Sequence, residues 1–184
     1  MIMFRSVKTH QRAASRLSTM ILITLLMLPL ACASIGQKRR LNEVKAKVEG
    51  TWILEEWHMK GEVVRPPKVE GRFIVHDNAC VVILLNRAVE EPWSVYTYGK
   101  YTLDASTFSM QFDETSFFKE SSSGITVSRK LTFDGKMKSF AISTENNKLQ
   151  MRADDGLEIT ADGDTLIYGS KGKITRIWRR AGAK

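Results

Sequence analysis

From Gly50 to Arg180 the chain alternates short strand-forming runs with turn residues, and no run between them is long enough to be a helical βαβ crossover. That pattern restricts the fold to a mainly antiparallel all-β architecture. Strands are predicted near 51–59, 71–76, 79–87, 94–103, 107–112, 125–133, 139–144, 149–153, 157–161, 165–168 and 174–179. Asp77-Asn78, Asp134-Gly135, Asn146-Asn147, Asp155-Gly156, Asp162-Gly163 and Lys171-Gly172 separate several of them. Such residues tolerate positive φ or bond their own backbone, as tight hairpins require. Leu41, Val44 and Val48 recur at helical spacing, which predicts a short helix over residues 38–47 leading into the sheet.

Apolar and polar residues alternate along several of these runs. Phe108, Met110 and Phe112 share one face, with Thr107, Ser109 and Gln111 opposite. The run from Ile125 to Phe133, whose alternation is broken by Arg129 and Lys130 before Leu131 and Phe133, is expected to carry a β-bulge. One wet and one dry face on so many strands suits a sheet that curls around its own interior. An up-and-down barrel of about 8–10 strands is expected, because closure removes exposed edges.

The amino end points to export. Arg5, Lys8, Arg12 and Arg16 precede the apolar stretch Met20–Ala33, with no acidic residue among them. A basic region, a short apolar region and small residues at a cleavage point are the parts of a signal peptide. The stretch is shorter than the roughly 20 apolar residues of a spanning helix. Met3 and Met20 are alternative starts. Ala31-Cys32-Ala33 suits a general signal peptidase, while Cys32 also fits lipoprotein processing, so a periplasmic or secreted protein and a membrane-anchored lipoprotein both remain open. The expected organisation is a signal peptide over 1–33, a tether and short helix over 34–47, a barrel over 48–181 and a tail over 182–184.

The whole chain carries a formal charge of +8, half of it from the four basic residues of the leader. The remaining Lys and Arg are mixed with acidic residues rather than gathered beside stacking aromatics, which argues against nucleic acid as a partner. With Cys32 removed or acylated only Cys80 is left, so no internal disulfide framework exists. Cys80 sits in the apolar run 79–85 and reads as a buried small hydrophobe. About 150 mature residues make one domain with a core of its own.

Gly50-Thr51-Trp52 after a short helical turn resembles the Gly-x-Trp opening of lipocalins and of lipocalin-like bacterial exported domains. The closing run Arg176-Ile177-Trp178-Arg179 is similar to the family's last strand, whose arginine lies over that tryptophan. The segments Tyr98–Asp104 and Leu131–Lys136 also look like hairpins of this calycin-type group. The resemblance covers about Val48 to Arg180 and implies a barrel closed at one end by an indole under a cation. Trp52 is therefore the expected anchor, with Arg176 its partner and Arg179 the reserve. Neither a Thr-Asp-Tyr-type turn nor a long final helix is found, so the ligands of the kernel family are not carried over.

A barrel of this size is either filled by side chains or holds one small ligand. The candidate lining is Phe73, Val82, Leu84, Tyr96, Tyr101, Phe108, Met110, Phe112, Phe133 and Phe140, with Met151 beside them. The loop 60–70, with Pro66-Pro67, is a candidate lid, and Trp93 either rims an entrance or covers the core edge. No metal-ligand spacing, phosphate loop or nucleophile motif occurs, and no cofactor is expected. Glu55 and Glu56 beside His58 leave a cyclase- or isomerase-like activity as the weakest reading, since neighbouring strand residues face opposite ways. The expectation is a non-enzymatic exported binding protein for a small apolar ligand. The alternative is a cell-envelope structural or interaction module with a filled barrel. Ligand identity and oligomeric state are not encoded in any of these features.

Overall fold

The computed structural model describes residues 36–59, 61–121, 123–132, 136–170 and 172–183. The leader 1–33 with Cys32, and Phe133, lie outside the described residues. The chain divides into two compact units, Met1–Arg40 and Leu41–Lys184. Residues 36–40 of the first are helical, and the second opens with α1 over residues 41–48.

The second unit then forms β1 (Gly50–Met59), β2 (Glu62–Val64), β3 (Val69–His76), β4 (Ala79–Asn86), β5 (Trp93–Leu103) and β6 (Thr107–Ser121). After these come β7 (Gly124–Thr132), β8 (Lys138–Glu145), β9 (Lys148–Arg152), β10 (Leu157–Asp162), β11 (Thr165–Ser170) and β12 (Lys173–Arg180). All pairings are antiparallel, and β12 pairs back onto β1, so ten strands close into an up-and-down barrel. The two others are attachments. β2 extends β1 at Trp57–Met59, and β7 pairs only with the second half of β6, whose first half pairs β8. The pairing of β7 with β6 carries a register shift opposite Phe117 and Phe118, between Val127 and Arg129 rather than just before Leu131.

The hairpins close as their residues dictate. Asp77 and Asn78 take φ of 47° and 63°, and Asn146 and Asn147 take 49° and 64°. Positive φ at both central residues gives the turn whose twist matches that of the strands it joins. Alternation then fixes the inside: Val69, Gly71, Phe73 and Val75 face the core along β3. Burying these apolar groups, at about 25 cal/mol per Å² removed from water, is the main source of stability.

One barrel end is closed by α1. Val44 and Val48 are buried, and the Trp52 indole donates from Nε1 to the Val48 carbonyl at 3.0 Å. The cation over Trp52 is Arg180, 4.2 Å from the ring centroid, and neither Arg176 nor Arg179. The closing register explains this correction, because Arg180 pairs directly with Trp52. Its Nη1 donates to Glu49 O at 2.7 Å and its Nη2 to Ala46 O and Lys47 O at 3.1 and 3.0 Å. A helix C-terminus leaves such carbonyls without partners and favours a cation beside them. Gly50 makes room: its φ is 143°, and a Cβ there would stand 2.6 Å from Arg180 Nη1.

Candidate functional site in the barrel lumen

Beyond the packed end, the barrel holds a cavity of about 220 Å³. Phe73, Val82 and Leu84 line it from β3 and β4, and Val95, Thr97, Met110, Phe112 and Thr115 from β5 and β6. Ile159, Leu166, Tyr168, Arg176 and Trp178 complete the wall from β10, β11 and β12. The volume lies below the roughly 300–1,000 Å³ common for drug-sized ligands, so the space suits a smaller molecule.

Of the residues expected to line a lumen, Phe73, Val82, Leu84, Met110 and Phe112 stand at this cavity. Tyr101, Phe108, Phe140 and Met151 are buried but fill the packed end, where Phe108 stacks between Tyr101 and Phe140 at 5.8 and 5.9 Å. The Tyr101 hydroxyl donates to Glu49 Oε1 at 2.5 Å. Burial first, and that bond second, push its pKa up to about 12. Tyr96 is a correction: it faces outward, 44% exposed, against Phe118. Tyr96 and Tyr101 are an odd number of positions apart on one strand, so they cannot share a face.

The same parity would have exposed what sequence reasoning missed. Counting back by twos from Tyr101 brings Gly99, Thr97 and Val95 inside. Counting back from an inward Trp178 brings Arg176 inside. Thr97 and Thr115 are buried and bond each other, Oγ1 to Oγ1, at 2.9 Å.

Arg176 is the feature that sets this lumen apart. Its guanidinium lies 4.4 Å from the Trp57 ring centroid and 5.3 Å from that of Tyr168. Among the described residues no carboxylate pairs with it, and its Nε is the one buried side-chain nitrogen or oxygen without a hydrogen-bond partner. Desolvation draws its pKa below the ordinary guanidinium value, with the Tyr168 oxygen opposing that pull. Cation–π contact returns about 2 kcal/mol at a desolvated site. An unpaired charge withdrawn from water costs several kcal/mol, so the rings offset only part of it.

The other nominated groups sit elsewhere. Arg179 is exposed and forms an ion pair with Glu55 Oε1 at 2.5 Å. Glu56 accepts from Arg65, with His58 at 3.1 Å, and these hydrogen bonds hold its pKa below the usual carboxylate range. The register shift between Leu54 and Glu56 keeps Leu54 and Trp57 buried while neither glutamate reaches the cavity wall. Trp93 covers the core edge, with its ring 5.8 Å from Trp57 and 5.3 Å from Phe117. Residues 62–68, β2 and the loop after it, border a separate groove of about 600 Å³ with Met59, Ala88 and Val89 and share no residue with the lumen wall. Cys80 is buried with its Sγ 3.7 Å from Lys100 O, and burial pushes its thiol up to about 11. Among the described residues no group of three or more His, Cys, Asp or Glu side chains forms a metal site.

These observations define a class: a closed antiparallel β-barrel packed at one end, with a small, largely apolar cavity and one unpaired interior cation. Compared with protein-family models, with curated proteins and with solved structures, the chain matches none of them.

Proposed function

We propose that this chain is an exported, lipocalin-like binding protein that holds one small, mainly apolar molecule inside its barrel. The observation that carries the reading is the lumen. Its walls are aromatic and aliphatic, yet side chains leave about 220 Å³ among them unfilled. Protein interiors are close-packed, so an unfilled space of this size forfeits dispersion contacts unless something occupies it. Export rests on the basic and apolar leader, and the Gly50-Thr51-Trp52 opening supports the lipocalin-like assignment. The reading makes the barrel a container rather than an enzyme, since Arg179 and Arg65 engage Glu55 and Glu56 away from the lumen.

Native mass spectrometry of protein purified from its own host tests the container. A co-purifying adduct of small-lipid mass is expected, and a bare-chain mass in every preparation would contradict it. A second reading, an envelope interaction module, draws on the exterior of β5, β6 and β7. There Tyr96 packs edge-on to Phe118 at 5.4 Å, and Ile125 is 71% exposed. For anchoring, Cys32→Ala with membrane fractionation decides: a lipoprotein leaves the membrane fraction, and an ordinarily cleaved protein does not change.

A further inference from the structure

Resting on the container reading, we propose that the ligand is a monoanionic amphiphile whose carboxylate pairs with Arg176. Its hydrocarbon part lies against Phe73, Met110 and Leu166. Arg176 lines the cavity, its Nε is buried and unpartnered, and among the described residues no acidic side chain meets it. Trp57 and Tyr168 hold the guanidinium between them, and the Tyr168 oxygen accepts from it, while Nε keeps no acceptor and is left for what shares the cavity. A planar guanidinium presents parallel donors that match a carboxylate's two oxygens.

The rest of the wall narrows the class. Among the described residues Arg176 is the only charged one on it, so one negative charge is matched and a second would be buried unpaired. Thr97 and Thr115 spend one hydroxyl hydrogen on each other, which leaves the other free for a polar atom of the ligand. The remaining described lining side chains except Tyr168 are hydrocarbon or thioether apart from the Trp178 indole nitrogen, as an aliphatic or aromatic tail requires. The volume is that of about seven waters at roughly 30 Å³ each, which fits a short or medium chain.

The test uses the full chain and two probes of equal length, octanoate and octan-1-ol, titrated by calorimetry at pH 7. Octanoate is expected to bind at least about tenfold more tightly, the scale of a charge-assisted bidentate bond. Arg176→Met is expected to erase that preference while octanol binding persists, and Arg176→Lys to leave a smaller one. Equal affinity of the two probes in the unaltered protein, or a preference that survives Arg176→Met, overturns the head-group assignment and leaves the container standing. Failure of both probes to bind overturns the container reading and this inference together. Should circular dichroism show Arg176→Met unfolded, the probe pair on the unaltered protein and on Arg176→Lys still decides.

Discussion

Two arginines on one strand face the same way and do opposite work. Arg180 covers Trp52 and donates to three carbonyls at the end of α1. Arg176 has rings on two sides and a buried nitrogen with no acceptor. Removing them should therefore move stability in different directions. Arg180→Met is expected to destabilise by about 1–3 kcal/mol, through lost cation–π contact and orphaned carbonyls. Arg176→Met is expected to be neutral or stabilising, because a largely desolvated charge with no carboxylate beside it among the described residues gives way to an apolar group of similar length. Urea denaturation of the two variants checks this, and equal losses would contradict it. Tyr101 supplies a pH dependence. Its folded pKa is raised to about 12 from an ordinary 10. Its contribution is fully present below pH 10, where the phenol is protonated in both states. It is lost as pH rises toward 12, because the unfolded chain ionises first. The stability gap between the native protein and Tyr101→Phe should accordingly shrink between pH 10 and pH 12, measured by urea midpoints.

At the scale of elements, β6 shows how one residue sets the geometry of a wall. Tyr98 pairs with Glu114 and Gly99 with Phe112, so Asp113 is the extra residue of a bulge. A Cβ on Gly99 would stand 2.0 Å from the Gln111 carbonyl oxygen, and no rotamer relieves a clash with backbone. The bulge turns the inward series from Phe112 to Thr115, which brings Thr115 opposite Thr97 at the cavity. Gly99→Ala is expected to destabilise by about 2–4 kcal/mol, and thermal unfolding measures it. A loss below about 0.5 kcal/mol would mean that the bulge relaxes freely. Strand existence and turn positions were legible in the sequence, because Asn-Asn and Asp-Gly pairs mark hairpins and period two marks the buried face. The second half of β6 was not, since Asp113 and Glu114 interrupt the alternation at the bulge itself. β2 was hidden for a different reason: three residues on the far end of β1 give no periodicity to read. Parity alone puts Arg176 and Arg180 inside, but which of them lies over Trp52 depends on the register of β1 against β12, a pairing of the chain's two ends that local pattern does not carry.

The whole barrel combines a dense end and an open one, and the contrast can be tested as a single property. Around α1, Trp52, Tyr101, Phe108 and Phe140 are almost fully buried and leave the packed end to structural work. Further along, Val82 on β4 and Ile159 on β10 face the same unfilled space from separate walls. If that space serves a ligand, the protein forgoes packing energy in order to keep it. Filling it from both sides with Val82→Phe and Ile159→Phe should then leave stability unchanged or raise it by about 0.5–2 kcal/mol, as cavity-filling substitutions do. The same double variant should lower octanoate affinity by about tenfold or more, because the added rings occupy the hydrocarbon's place. Melting curves and calorimetry on one preparation read both quantities. A loss of about 1–3 kcal/mol would be the mark of overpacking and would mean that the lumen is already filled. Raised stability with octanoate affinity unaltered would place the ligand outside the barrel, on another surface. Only the coupled result, a barrel that gains or holds stability as it loses its guest, identifies the empty volume as the part of the fold that is kept for function.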